Sequence, residues 1–274
     1  MEKVTFTEEK ATMLATLYSK AVDNRLANPI LGDQAAEDAL EHIDYDFEKL
    51  GVTTASAEGI AARAKVIDDW AAEYLHDHPN AIVLHMGCGM DSRVFRLDPP
   101  PAVQWFDIDY PEVIDLRTRI YPQRANYQLI GTPITDLAWL DRIPSDRPAL
   151  IVAEGLLVYL KPEAGGELLR QLARRFPSGE LIADMLSRFG VKLQKATPIA
   201  RNTGSTLHWG IDDPTELDQL GYHTTACLDA ADWFDPRTPE GQNFGFSRSV
   251  RLQFAMTRYI PGLRRLAKIG RWSF

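Results

Sequence analysis

Ala81-Ile82-Val83-Leu84-His85-Met86-Gly87-Cys88-Gly89 decides the reading of this chain: a short apolar run that stops at two glycines one residue apart. A run of that length suits a strand buried on both faces. Glycines at its end let the backbone turn tightly and approach a ligand with no side chain in the way. Working outward, the pattern recurs. Val103-Gln104-Trp105-Phe106-Asp107-Ile108-Asp109 is a second run, ending in acids and followed by a Pro-initiated helix at 111–121. Tyr127–Gly131 is a third run, Ala149–Leu157 a fourth with a helix at 162–176 behind it, and Gly179–Leu186 a fifth. Apolar runs alternating with helices predict βαβ units and a parallel sheet, an α/β fold. Right-handed crossovers then gather the strand C-termini, where ligands bind, along one edge.

The flanks read differently. Upstream, residues 8–24 are predicted helical from Leu14, Leu17, Tyr18 and Val22, and a turn at Asn28-Pro29-Ile30-Leu31-Gly32-Asp33 leads to a short helix at 34–43. Residues 56–78 carry the strongest helical pattern, with Val66, Ile67, Trp70, Ala71, Tyr74 and Leu75 on one face. Residues 1–78 are thus expected to form a helical cap, and 79–274 the sheet core. Downstream of 187 the alternation is lost. Residues 187–212 look like an insertion of little period, and a lid spanning about 187–220 is expected there. Asp213-Pro214 opens a helix, with Asp as N-cap and Pro at the first helical position. The segment 221–230 reads as a further strand, a helix is expected around 248–259, and the basic, aromatic C-terminus reads as an edge strand.

Composition bounds the partners. The chain has 274 residues with 45% hydrophobic and 25% charged content, ordinary globular values that allow a sizeable core. Its net charge of -8 gives no general footprint for nucleic acid. Cys88 and Cys227 are far apart and in no C-x-x-C pairing, so neither a disulfide scaffold nor a zinc ribbon organises the fold. His76 and His78, two apart at a helix end, are poorly spaced as metal ligands, and no metal is called for. The N-terminus lacks a signal-peptide pattern and no apolar run approaches the ~20 residues of a membrane span, so a cytoplasmic protein without membrane contact is expected. Either a monomer or a homodimer fits.

Three motifs carry chemistry. In Gly87-Cys88-Gly89-Met90-Asp91-Ser92-Arg93 the third glycine of a dinucleotide fingerprint would fall at Ser92, so close pyrophosphate approach is not signalled. The turn is either an ordinary βα connection or a cradle for a ligand without phosphates. Asp107 and Asp109, about 20 residues on, point the same way from a strand end. They either solvate that end or, in the later of the two, take ribose hydroxyls. In Val152-Ala153-Glu154-Gly155-Leu156-Leu157-Val158-Tyr159-Leu160 a glutamate inside an apolar run is expensive to bury unless it faces a polar ligand or partner.

Together with Arg63, Pro29–Asp33 and Trp209-Gly210-Ile211-Asp212-Asp213-Pro214, these motifs resemble the leucine carboxyl methyltransferase family, and most nearly its bacterial branch of tetracenomycin-type polyketide O-methyltransferases. The resemblance implies a Rossmann-like class I methyltransferase sheet, mostly parallel, of seven strands with one antiparallel near the edge. It implies S-adenosylmethionine as cofactor, S-adenosylhomocysteine as product, and methylation of an oxygen, carboxylate or phenol, on a small-molecule acceptor. By the same likeness Arg63 holds the methionyl carboxylate and the Gly87 carbonyl receives the cofactor's amino group. The loop Gly87, Cys88, Gly89, Asp91 and Arg93 cradles the cofactor, and Asp109 binds ribose. Asp136 and Leu137 contact adenine, although Asp136 also suits the N-cap of a helix at 137–143. Glu154 lies beside the cofactor and Tyr159 lines the acceptor site. The acceptor region has no extended basic surface for a protein tail.

A phenolic acceptor, with a pKa near 10 when unperturbed, profits from a general base, whereas a carboxylate needs none. His208, in the irregular segment before Trp209, is the catalytic candidate, with His223 and Asp184 as further possibilities. Two rival readings share parts of the pattern: a nicotinamide-dependent oxidoreductase, and a cofactor-binding protein without turnover.

Overall fold

The computed structural model describes residues 2–3, 9–194, 206–233, 244–248, 250–252, 259 and 264–274. Two-residue strands β1 (Glu2–Lys3) and β2 (Ile43–Asp44) pair in parallel. Between and after them lie helices α1 (Glu9–Asn24), α2 (Gln34–His42) and α3 (Thr54–Asp77). A capping box starts α3: Thr53 Oγ1 accepts from the Ser56 N–H, and Ser56 Oγ accepts from the Thr53 N–H. Its alanines Ala57, Ala61 and Ala64 are fully buried and let α1 pack closely against it. Further along, Val66, Ile67, Trp70, Tyr74 and Leu75, with Ala61, join one hydrophobic cluster with Val83, Trp105, Leu150, Val152 and Ile182 of the sheet. Each such side chain taken out of water contributes roughly 1.5–3 kcal/mol before entropy is charged against it. The third helix is therefore a layer of the sheet core, while α1 and α2 build a separate cluster around Leu14, Leu17, Ala36 and Ile43.

The main sheet holds β3 (Ile82–Met86), β4 (Gln104–Asp109), β5 (Tyr127–Gly131), β6 (Ala149–Ala153), β7 (Gly179–Leu186), β8 (His223–Asp229) and β9 (Ala267–Ser273). Their spatial order is β5-β4-β3-β6-β7-β9-β8, with β3 to β7 parallel and β9 antiparallel to both neighbours. This is the seven-stranded sheet with one reversed strand that the resemblance implies. Both central strands, β3 and β6, are buried along their whole length, as parallel strands covered on two faces must be. Helices α4 (Arg93–Leu97), α5 (Pro111–Ile120) and α6 (Pro162–Arg175) provide crossovers. The chain leaves β3 to one side for β4 and returns to the other for β6, so the edge between them is the switch point where ligands sit.

The structure corrects several expectations. The C-terminal strand is not at the edge: β9 lies one place in, and β8 takes the edge. Trp272 explains this, being fully buried with its indole N–H donated to the Pro214 carbonyl, which an edge position would leave open. The fourth run ends as a strand at Ala153, because Gly155 turns the chain with φ +63 and Leu157–Tyr159 form a 3-10 turn. Helix α7 (Arg188–Gln194) opens the segment read as lacking period. Residues 195–205 of the expected lid, and most of the helix expected around 248–259, lie outside the described residues. The turn at Asp213-Pro214 does start a helix, of 3-10 type and with a capping box to Glu216.

Asp107 and Asp109 do not share a fate. Asp107 is fully buried. It pairs with Arg117 of α5, accepts from Tyr127 OH and Trp105 Nε1, and meets His85 Nδ1 at 3.0 Å. Burial alone would push its pKa up, but the charge of Arg117 and the bonds from His85 and Tyr127 hold it at about 2. Its folded value thus lies below the unfolded one of about 3.9, so its stabilisation is complete above that value and fades as pH falls towards 2. The expected outcome is a stability gap between the wild type and Asp107→Asn that narrows from pH 4 to about 2 in urea unfolding. A gap independent of pH would show that the carboxylate's charge contributes nothing.

Candidate active site

At the switch point, where β3, β4 and β6 end, a cleft with about 1170 Å³ of empty space, its open mouth included, runs between the sheet edge and α1. Its floor is the Gly87–Asp91 loop. Gly87 and Gly89 take φ of +61 and +49, and a Cβ on either would press on Leu156 at 2.9 Å or Met13 at 3.0 Å. Only glycine accepts both the left-handed backbone and the close approach. The Gly89 peptide is held on both sides: its N–H donates to Asp109 Oδ2 at 2.7 Å, and its carbonyl accepts from Arg117 at 2.8 Å. Asp109 also accepts from the Tyr110 N–H. Burial pushes the Asp109 carboxyl above its usual pKa, against the pull of those two backbone bonds. Two N–H partners leave lone pairs on a carboxylate for further donors.

At one end of the cleft lies a dense charge network. Glu154, its side chain 5% exposed, pairs with Arg63 of α3 at 3.0 Å and with Arg93 of α4, and lies 3.8 Å from Lys20 of α1. Burial would raise its pKa, yet these three cations together hold it well below the usual carboxylate range. Asp91 is likewise held low, with burial outweighed by Arg93, Arg96 and Lys20. Arg63 is also bound to Asp184 of β7 at 3.0 Å. Two cationic groups at the cleft remain short of acceptors. Arg63 Nε is buried without a hydrogen-bond partner, and so is Lys20 Nζ, which sits 3.0 Å from Asp91 outside hydrogen-bonding geometry.

The residues singled out in the sequence divide into two groups. Arg63, Gly87, Cys88, Gly89, Asp91, Asp109, Glu154 and Tyr159 all line the cleft. Arg93 does not: it is wholly buried beneath, bonded to Asp68, His85 and Glu154. Asp136 is exposed and caps the 3-10 helix Leu137–Arg142, the alternative its sequence allowed, while Leu137 packs against the core beside it. Ile134, Tyr110 and Val113 line the cleft on that side instead. His208 is exposed and outside the cleft wall, with its backbone tied to Val158, and His223 is exposed on the edge strand. Asp184 is engaged with Arg63 and the Gly155 N–H. The buried Cys88 thiol is pushed up in pKa by desolvation.

Sequence reasoning missed the α1 wall. Thr12, Met13, Thr16, Leu17 and Lys20 face the cleft from one side of that helix. A lysine on the face shared with Leu17 was the available signal, since lysine is almost never fully buried without a partner. The arrangement fits S-adenosylmethionine. Two buried cationic side chains, each ion-paired yet keeping one nitrogen without a hydrogen-bond partner, suit a carboxylate, a backbone cradle suits close contact with an uncharged skeleton, and Asp109 has capacity left for ribose hydroxyls.

Comparison with known proteins supports the same fit. The family model for leucine carboxyl methyltransferase matches residues 9–173. The chain is 44% identical over 217 residues to the tetracenomycin polyketide synthesis O-methyltransferase TcmP of Streptomyces glaucescens, covering 79% of this chain and 80% of that protein. It is 31% identical over 288 residues to the S-adenosyl-L-methionine-dependent methyltransferase dpfgK of Gibberella zeae, covering 89% and 96%. A crystal structure of a candidate methyltransferase from Thermobifida fusca superposes with a TM-score of 0.58 over 93% of each chain at 17% identity, a likeness of fold. With its sheet order, its glycine loop and the matched span agreeing, this chain belongs to the leucine carboxyl methyltransferase family.

Proposed function

We propose that this S-adenosylmethionine-dependent methyltransferase methylates a carboxylate oxygen of a small, polyketide-like molecule. The observation that carries the carboxylate is the state of the titratable groups around the cleft. All six histidines of the chain are among the described residues, and His85 alone lines the cleft. Its Nε2 is met by Arg93 Nη1 at 3.1 Å, and an arginine can only donate, so Nδ1 carries the hydrogen and donates a hydrogen bond to Asp107. Neither ring nitrogen is available as a base. Glu154 and Asp91 are ion-paired and held ionised at low pKa, which leaves them weak bases. An acceptor that arrives already ionised suits such a site, and a carboxylate is ionised at neutral pH.

When bound, the cofactor supplies a methyl group already activated on a sulfonium. The chain's own groups then bind and orient. Arg63 and Lys20 take the methionyl carboxylate, the Gly87 carbonyl takes the ammonium, and Asp109 takes the ribose hydroxyls. Glu154 keeps Arg63 extended across the strand ends. Leu156, Leu160 and Met13 give the cleft an apolar lining that limits water, and Tyr159 beside them orients the acceptor. Alignment of this kind supplies several kcal/mol, up to ~7–11 for well-oriented reactants. No helix among the described residues is long and apolar enough to cross a membrane.

Paired acceptors sharing one aromatic skeleton, with either a carboxyl or a phenol, test the proposal. The carboxyl compound is expected to be methylated with a kcat flat between about pH 6 and 9. Faster turnover of the phenol, with a rate climbing towards its pKa, would overturn it. Asp109→Ala is expected to weaken S-adenosylhomocysteine binding at least ten-fold by calorimetry, roughly 1.4 kcal/mol, while unfolding stays cooperative. Because the Asp109 pKa is raised, wild-type cofactor affinity should begin to fall on acidification at a pH above the ordinary aspartate range. Affinity constant down to pH 4 would remove Asp109 from that role.

A further inference from the structure

Asp184 stands one strand away from Glu154, since Ala153 of β6 pairs with Ala183 of β7 and both carboxylates follow immediately. Its side chain is 15% exposed, yet it is not one of the residues lining the cleft. Each of its oxygens has one donor. Oδ2 accepts from Arg63 Nη1 at 3.0 Å, and Oδ1 accepts from the Gly155 N–H. Gly155 takes φ +63, and a Cβ there would lie 3.9 Å from Arg63 Nη2, so the turn runs beside the guanidinium. From that turn the chain proceeds to Leu156 and Tyr159, which line the cleft.

We propose that Asp184 is a positioning residue that locks the Arg63 guanidinium and the Gly155 turn to each other, so that cofactor grip and acceptor alignment are set by one carboxylate. This rests on the cofactor reading of the cleft given above. The two acids on Arg63 have different tasks. Glu154 is shared with Arg93 and approached by Lys20, whereas Asp184 has Arg63 as its one ion-pair partner among the described residues. Glu154 bonds Nη2 and Asp184 bonds Nη1, which fixes the plane of the fork and leaves Nε with its proton unshared. Without Asp184 the guanidinium is free to rotate about its bond to Glu154, and the Gly155 N–H loses its acceptor. A base role is disfavoured by the same geometry, because both oxygens are already engaged and neither faces the cleft.

Two substitutions separate these effects in the full-length protein. Asp184→Ala removes both bonds, and is expected to raise the dissociation constant of S-adenosylhomocysteine about ten-fold or more and to raise the acceptor KM, with kcat changing less. Asp184→Asn keeps an amide oxygen for the Gly155 N–H but removes the charge opposite Arg63. It is expected to weaken cofactor binding while returning acceptor KM to near the wild-type value. That split is one a merely structural loss would not produce, and the Asn variant reads it even if the Ala variant fails to fold. Unchanged S-adenosylhomocysteine affinity in the Asn variant overturns the proposal. So does a collapse of kcat with an altered pH profile and normal affinity, which would make Asp184 a base. Failure of the wild-type protein itself to bind S-adenosylhomocysteine would instead overturn the cofactor reading beneath it.

Discussion

The Glu154 carboxylate holds the architecture of the site together. Three cations from three separate elements converge on it: Lys20 from α1, Arg63 from α3 and Arg93 from α4. Taking these charges out of water is costly, and the attraction among them offsets the cost only with good geometry and few orphaned donors. The arrangement is therefore better understood as a device for specificity than as a source of stability. It requires α1 and α3 to dock over the strand ends in one register, because a slip of either helix would strand a buried charge. The same requirement creates the cleft, since the helices that supply the cations also supply its walls.

The network extends in two directions from that centre. Towards the turn after α1, Arg93 and Arg96 share Asp68, and Arg96 reaches Asp33 and Asp91. Asp23 receives three successive N–H groups from Ile30, Leu31 and Gly32, which fixes the turn joining α1 to α2. Along the same face towards β4 and α5, His85 links Arg93 to Asp107, and Asp107 meets Arg117, whose other nitrogen holds the carbonyls of Gly89 and Asp91. The glycine loop is thus suspended between Asp109 above and Arg117 below. Preorganisation of this kind lets backbone groups face a ligand without a reorganisation cost on binding.

A net charge of -8 does not exclude a local anion site in the cleft. Long-range charge governs encounter and solubility, whereas recognition depends on the few groups left unsatisfied in the interior. Arg63 Nε and Lys20 Nζ are such groups, and both lie at the end of the cleft where the family resemblance puts the methionyl carboxylate. The side chains of Met13, Leu156 and Leu160 have little to offer a charge and suit an apolar skeleton.

From the sequence by itself followed the five parallel strands, to within a few residues, the helices 34–42, 54–77, 111–120 and 162–175, and the glycine loop with Asp109 and Glu154 near it. Such features are written in local periodicity, in glycines that tolerate positive φ, and in prolines and capping residues whose partners are close in the chain. Only the tertiary structure decided that β9 slots between β7 and β8, that Asp107 is sealed inside while Asp109 opens on the cleft, and that His208 and Asp136 stay outside it. It alone decided that Lys20 joins the site, and that Asp184 meets Arg63 across 121 residues and Glu154 meets it across 91. A carboxylate's sequence neighbours do not reveal which distant cation will neutralise it, because that choice is made by how the helices dock on the sheet.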